Sequence, residues 1–371
     1  MAEHLYTGII SGVQVEFWYQ LNYPLIVITA VVSAHKNTTT GDNMKILKNA
    51  QIFRIFRIFS LILAFLAINA LAEERQPVID MHLHAGPGSE SSRYYKASEG
   101  ETPDEARMRT LLQDMKDSNV VYGVIGGPES HIEHFRQASH VPLIAGVILP
   151  CIEGRSPNFF ACYENDANWP DIDKLQSAID QGQIGAIGEL YNVYTGISPL
   201  DSKMLPYLQL AADNDLIVAV HADRGPPPQS PVRAAGCCPD FNGDHGNPAL
   251  WSPIMEKHPK LRLVLYHAFR PEFVEAAIAL MDTYPNVVVE TSPMTRVPSE
   301  WVYAALRAYI EAGHGDRIVF GSDYLGSIGG SVTVIEKADF LSQQQKRDIL
   351  YHNAARFLNL SPQEIAKHHD G

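Results

Sequence analysis

Short apolar runs recur from Val78 to the C-terminus, separated by stretches whose apolar residues repeat at helical spacing. The first run, Val78-Ile79-Asp80-Met81-His82-Leu83-His84, breaks into Ala85-Gly86-Pro87-Gly88, as a strand does on entering a loop. Side chains alternate along a strand, so His82 and His84 point one way, Met81 and Leu83 the other. Thr102-Pro103-Asp104-Glu105 reads as a capping box with proline at the first helical position, opening a helix to about Asp117. The β-branched run Val120 to Ile125 is the next buried strand. A helix over Ser130–Ser139, a strand over Leu143–Leu149 and a long loop, Pro150 to Pro170, follow. Helix Ile172–Asp180 leads to strand Ile184–Leu190, and helix Leu200–Asp213 to strand Leu216–Ala222.

The second half keeps this rhythm. Asn247-Pro248 caps a helix to Lys257 before strand Arg262–His267, and helix Pro271–Asp282 precedes strand Val287–Thr291. Helix Ser299–Ala312 precedes strand Arg317–Gly321, and Ser342 with Gln345 opens a last helix to Leu358. Eight strands, each followed by helical sequence, predict an α/β fold, a (β/α)8 TIM barrel over 73–371.

The pattern upstream differs. From Met44 the chain carries Lys45, Lys48, Arg54 and Arg57, then an apolar core from Ile58 to Leu71, closing on Ala70-Leu71-Ala72. Those are the parts of a signal peptide over 44–72, cleaved after Ala72, which predicts a periplasmic or secreted protein that meets the membrane only during export. Residues 1–43 then read as a mis-called N-terminal extension, whose apolar run Pro24 to Ala34 is too short to span a bilayer.

Composition adds two constraints. A formal charge of −13 argues against nucleic acid as a partner and leaves a small-molecule substrate, with a homo-oligomer still open. In an oxidising compartment Cys151 and Cys162, or either with the pair Cys237 and Cys238, would close a disulfide, whereas their spacing matches no common thiolate zinc site.

Polar residues end the apolar strands at one side of the barrel: His82 and His84, Glu189 after Ala186-Ile187-Gly188, His221 after Val218-Ala219-Val220, His267 after Leu265-Tyr266, and Asp323 after Phe320-Gly321-Ser322. Imidazoles and carboxylates recurring at the C-terminal strand ends predict a metal site there, with Asp80 supporting it from behind. Arg224 and Arg270 each follow a histidine of this set by three residues, and would pair a substrate carboxylate or close a loop salt bridge. Tyr191 and Tyr324 are further substrate-binding candidates. His131, His134, His245, His314 and His352 read as structural.

These motifs resemble the amidohydrolase superfamily, in its amidohydrolase-related (family 2) branch. The resemblance runs from Val78 to Leu360 and is carried by Asp80-Met-His82-Leu-His84, Val220-His221-Ala222, His258-Pro259-Lys260-Leu261 leading to His267, Phe320-Gly321-Ser322-Asp323-Tyr324, and Ile349 to Leu358 with Asn353 and Arg356. It implies that His82, His84 and Asp323 hold a first divalent ion, and that His221 and His267 hold a second or divide between binding and catalysis. Glu189 stands where members bridge two metals with a carboxylated lysine or a glutamate.

Imidazole and carboxylate donors suit Zn2+, as one or two ions, with Mn2+ also compatible. Such an ion brings the pKa of water down to about 7. Asp323 would take that water's proton and His267 or a second ion would polarise a carbonyl, which is hydrolysis of a small amide, ester or lactone. The resemblance also covers metal-dependent decarboxylases of aromatic or unsaturated acids, and a non-catalytic barrel used for binding is the third reading.

Overall fold

The structure, a computed structural model, describes residues 75–150, 169–226, 238–324 and 327–369, and the backbone of 3–10, 13–22 and 25–33. Its chain divides into two units, Met1–Glu73 and Glu74–Gly371. In the first, β1 (Glu3–Ile10), β2 (Val13–Asn22) and β3 (Leu25–Ser33) form an antiparallel sheet with β2 central. The sequence signal for these strands is local, and the apolar run Pro24 to Ala34 suggests only a segment too short to span a bilayer. The strand signal is the period-two alternation of Val13-Gln14-Val15-Glu16-Phe17. The signal-peptide segment 44–72 lies outside the described residues.

In the second unit eight strands run parallel and adjacent in chain order: β4 (Val78–His84), β5 (Val120–Gly126), β6 (Leu143–Leu149), β7 (Ala186–Leu190), β8 (Ile217–His221), β9 (Arg262–Tyr266), β10 (Val287–Glu290) and β11 (Ile318–Val319). The gap between β4 and β11 is bridged where Met81 N–H donates to Phe320 O at 3.0 Å and Ser322 N–H to Asp80 Oδ1 at 3.0 Å. This is a nearly closed (β/α)8 barrel, as the alternation of apolar runs and helices required.

Two apolar layers sandwich the strands. The inner one takes alternate residues, such as Ile217 and Ala219 from β8 and Val264 and Tyr266 from β9, and Tyr351, Ala354 and Ala355 pack against it from the last long helical segment. The outer layer joins Val218, Val220, Leu263 and Leu265 to the surrounding helices. β4 departs from strict alternation: its register against β5 slips between Asp80 and Leu83, a bulge. Leu83 therefore packs outward as expected, whereas Met81 joins the inner layer instead of sharing Leu83's face.

The helices follow their end signals. Thr102 accepts from Glu105 N–H while Glu105 reaches back to Thr102 N–H, the capping box of helix Pro103–Asp117. Ser342 and Gln345 repeat the device, and that helix continues through a wider turn at Asp348–His352 to Phe357. Helix Leu205–Asp213 starts later than expected. Helix Ile328–Glu336 was not foreseen, because Gly329-Gly330 and the β-branched Val332-Thr333-Val334 disfavour helix locally; Ser327 caps it at Gly330 N–H. Among the described residues no helix is long and apolar enough to cross a membrane.

Candidate metal centre

All six residues expected at the strand ends are buried and meet at the C-terminal mouth. His82 Nε2 and His84 Nε2 lie 3.1 Å apart, and Glu189 Oε2 is 3.4 Å from the first and 3.5 Å from the second. Asp323 Oδ1 is 3.1 Å from His84 Nε2 and 3.6 Å from His82 Nε2. The other oxygen of Glu189, Oε1, turns the opposite way, 2.6 Å from His221 Nδ1 and 3.2 Å from His267 Nε2. Glu189 thus stands between two imidazole pairs with one oxygen for each.

Backbone conformation aims several of these groups. His267 and Asp323 take left-handed φ angles of 63° and 53°, immediately after β9 and just beyond β11, which turn their side chains back into the mouth. Gly188, with φ of 141°, leaves only 2.3 Å between a would-be Cβ and Ala219 O, so the strand can bring Glu189 inward only with glycine before it. Asp80 does not touch the imidazoles: its Oδ1 accepts from His82 N–H at 3.0 Å and from Ser322 N–H at 3.0 Å, tying β4 to the Asp323 loop, while Oδ2 has no partner.

The substrate-binding candidates separate. Arg270 Nε stands 2.6 Å from Asp223 Oδ2, and Asp223 Oδ1 is 2.7 Å from His221 Nε2, so Arg270 belongs to the site through Asp223. Arg224 instead pairs at 2.6 Å with exposed Asp244 and lies over the Phe273 ring, the loop salt bridge weighed above. Tyr191 is fully buried and packs edge-on against Tyr194, whose ring contacts His221. Tyr324 is buried next to Asp323. Of the histidines read as structural, His314 binds Asp282 at 2.8 Å, and His131 Nδ1 is 3.1 Å from Ala85 O at the end of the His-x-His strand. Cys238 is in a disulfide; the other three cysteines lie outside the described residues.

Sequence reasoning missed Glu290, Ser292, Asp223 and Tyr266. Glu290 Oε2 is 3.2 Å from His82 Nδ1, Ser292 Oγ is 3.1 Å from the same nitrogen, and the Tyr266 ring stacks on His82 at 3.7 Å. Glu290 did carry a signal, since it ends Val287-Val288-Val289 as the other acids end their strands.

Burial opposes charge throughout, and neighbours outweigh it. Burial pulls His82 and His84 down, but Asp323, Glu189 and, for His82, Glu290 raise both above the usual imidazole value. His221, likewise opposed by burial, is carried up to about 9 by Asp223 and Glu189. Glu189 and Asp323 stay ionised, Glu189 well below the usual range, because imidazoles surround them despite burial. Asp80, whose burial is only partly offset by hydrogen bonds from Ser322 and His82, rises to about 7.

Buried carboxylates facing imidazoles call for positive charge, and nitrogen and oxygen donors at these spacings fit a divalent cation. Three sets of side chains each converge within 4.8 Å: His82, His84 and Glu189; Glu189, His221 and His267; and His82, His267 and Glu290.

The family model described as Amidohydrolase matches residues 79–360. No curated protein matches the chain. Among solved structures, an uncharacterised TIM-barrel protein from Bordetella bronchiseptica is 16% identical, covering 76% of this chain and 98% of its own, with a TM-score of 0.52. A probable 2-pyrone-4,6-dicarboxylic acid hydrolase from Acinetobacter baumannii is 13% identical, over 76% and 99%, with a TM-score of 0.49. A 2,6-dihydroxybenzoate decarboxylase from Rhizobium is 13% identical, over 77% and 99%, with a TM-score of 0.49.

Proposed function

The chain belongs to the amidohydrolase family, and from that premise we propose that it is a metal-dependent hydrolase of a small-molecule amide, ester or lactone. The observation that carries this reading is Glu189, whose two oxygens face two separate imidazole pairs, a carboxylate placed to bridge two ions. His82, His84, Glu189 and Asp323 would hold one ion, and Glu189, His221 and His267 the other. Zn2+ suits this donor set, and Mn2+ is compatible. When bound, the ions supply Lewis acidity and an acidified water with a pKa near 7.

The chain's own groups do the rest. Asp323 is ionised, retains slight exposure at the mouth and lies beside His84, so it can accept a proton from the attacking water and return it to the leaving group. Asp223 holds His221 from behind, and Arg270, partly exposed on the far side of Asp223, is a cation that can orient an anionic part of the substrate. Buried Tyr266 stacks its ring on His82 and buried Tyr194 meets His221 at a steep angle, so both rings wall the imidazoles.

One observation favours a second reading. His267 Nε2 stands 3.2 Å from Glu189 Oε1 where His221 Nδ1 stands at 2.6 Å, and with His221 completing a single ion and His267 left free for catalysis the site would suit a decarboxylase of an aromatic or unsaturated acid.

The experiment is a metal count with a substrate screen. Full-length protein loaded with zinc or manganese is assayed for metal per chain and turned over against esters, lactones, amides and aromatic acids, beside His82→Ala. Two ions per chain with hydrolysis, lost in His82→Ala, is the expected result. One ion with carbon dioxide release selects decarboxylation, and activity undiminished in His82→Ala rejects the metal mechanism altogether.

A further inference from the structure

Glu290 ends β10 with its carboxylate wholly buried, against a glycine that leaves room for it: a Cβ on Gly321 would stand 2.2 Å from Oε1. Both of its oxygens take protons from Ser292, Oε1 from the backbone N–H at 2.5 Å and Oε2 from the hydroxyl at 2.7 Å. A serine hydroxyl has one proton to give. With that proton committed to Glu290, Ser292 Oγ is left as an acceptor, and it lies 3.1 Å from His82 Nδ1 and 3.2 Å from His267 Nδ1.

The remaining neighbours of those two nitrogens are acceptors as well. Glu290 Oε2 is 3.2 Å from His82 Nδ1, and the Ser292 carbonyl is 3.2 Å from His267 Nδ1. Each Nδ1 must therefore carry a proton, so that with an ion in the centre each Nε2, on the Glu189 side of its ring, would be the nitrogen offering a lone pair to it.

We propose that Glu290 and Ser292 are positioning residues that lock His82 and His267 as Nδ1–H tautomers, so that one hydroxyl couples the two halves of the centre from behind. His82 belongs to the set with His84, and His267 to the set with His221. The two halves are thus joined in front by Glu189 and behind by Ser292. The inference rests on the metal-binding reading, since an ion is what leaves Nε2 unprotonated beside Glu189. Groups that orient an imidazole ligand in this way typically change metal affinity ten- to a hundredfold when altered.

The test compares Glu290→Gln, Ser292→Ala and Ser292→Thr with the unaltered full chain. Zinc affinity is measured by competition with a chromophoric chelator, zinc per chain by elemental analysis, and folding by circular dichroism. Histidine tautomers are read by 15N–1H correlation spectra of the zinc-loaded protein. In Glu290→Gln the amide can turn a donor toward His82 Nδ1, so zinc should bind about ten- to a hundredfold more weakly with its stoichiometry unchanged. Ser292→Ala should weaken it similarly, and Ser292→Thr, which keeps the hydroxyl, should restore it. Where Glu290→Gln fails to fold, the two serine variants carry the comparison.

Affinity within about twofold of the unaltered protein in these variants overturns the proposal, as does an Nε2–H tautomer at His82 or His267. Loss of a whole zinc equivalent in Glu290→Gln overturns it too, by making Glu290 a ligand. If the unaltered protein binds no zinc, the metal reading fails and the proposal falls with it, whereas zinc bound by the unaltered protein and equally well by the variants overturns the proposal alone.

Discussion

A side chain reaches a catalytic position partly by what its own backbone tolerates. His267 sits at φ 63°, where a Cβ meets the following carbonyl and glycine alone is at ease, a cost of roughly 1 kcal/mol that the surrounding contacts must offset. Two substitutions separate backbone from ring. His267→Gly and His267→Ala remove the same imidazole, yet only glycine relieves the left-handed backbone. His267→Gly should therefore unfold no earlier than His267→Ala in thermal melts, and the opposite order would show that the conformation costs nothing. Gly321 is the converse case. A methyl placed 2.2 Å from Glu290 Oε1 must displace a wholly buried carboxylate, so Gly321→Ala should destabilise the barrel by about 1–3 kcal/mol in denaturant titration and lower zinc affinity with it. Loss of stability with zinc affinity intact would separate the fit of Glu290 from its role behind His82.

At the scale of elements, end signals were the most legible part of the sequence. Thr102-Pro103-Asp104-Glu105 set the start of helix Pro103–Asp117, and Ser342 with Gln345 the start of the last long helical segment, because capping is a local exchange of hydrogen bonds needing no tertiary partner. Thr102→Ala removes an acceptor 3.2 Å from Glu105 N–H and a donor to its carboxylate, so unfolding should come about 1 kcal/mol sooner, with Thr102→Ser close to the original. Just upstream, Glu101 accepts twice from Arg109, which with Ser98 N–H lowers its pKa to about 2. An acid depressed in the folded state contributes stability above its usual value near 4.5, and that contribution disappears as pH falls toward 2. The melting difference between the original and Glu101→Gln should be largest near pH 6 and shrink by pH 3; a constant difference would mean that the pair does no electrostatic work. Where tertiary packing overrode local preference, the sequence was less transparent. Helix Ile328–Glu336 carries two glycines and five β-branched residues, which locally disfavour helix, and the bulge in β4 moved Met81 inward although alternation alone placed it with Leu83.

For the molecule as a whole, the barrel and the six residues of its mouth were legible because several strand ends write a polar residue onto an apolar run. Glu290 obeyed the same rule and was overlooked only because no motif surrounded it, while Ser292 and Asp223 depend on contacts between strands that no linear spacing reveals. One consequence concerns the division of the chain. Every side chain that builds the centre lies between Asp80 and Asp323, within the unit Glu74–Gly371, and that unit brings both apolar layers with it. A chain beginning at Glu74 should therefore fold alone, melt in one cooperative transition and bind as many zinc ions as the full chain, whereas an unfolded or metal-free product would show that residues 1–73 complete the barrel. The same boundary bears on export, which we propose from the basic and apolar run over 44–72. Expression of the full sequence with its own N-terminus in a bacterium that secretes across its inner membrane should give periplasmic protein starting at Glu73 by N-terminal sequencing. Retention in the cytoplasm with Met1 or Met44 still attached would refute export while leaving the barrel and its metal chemistry as they stand.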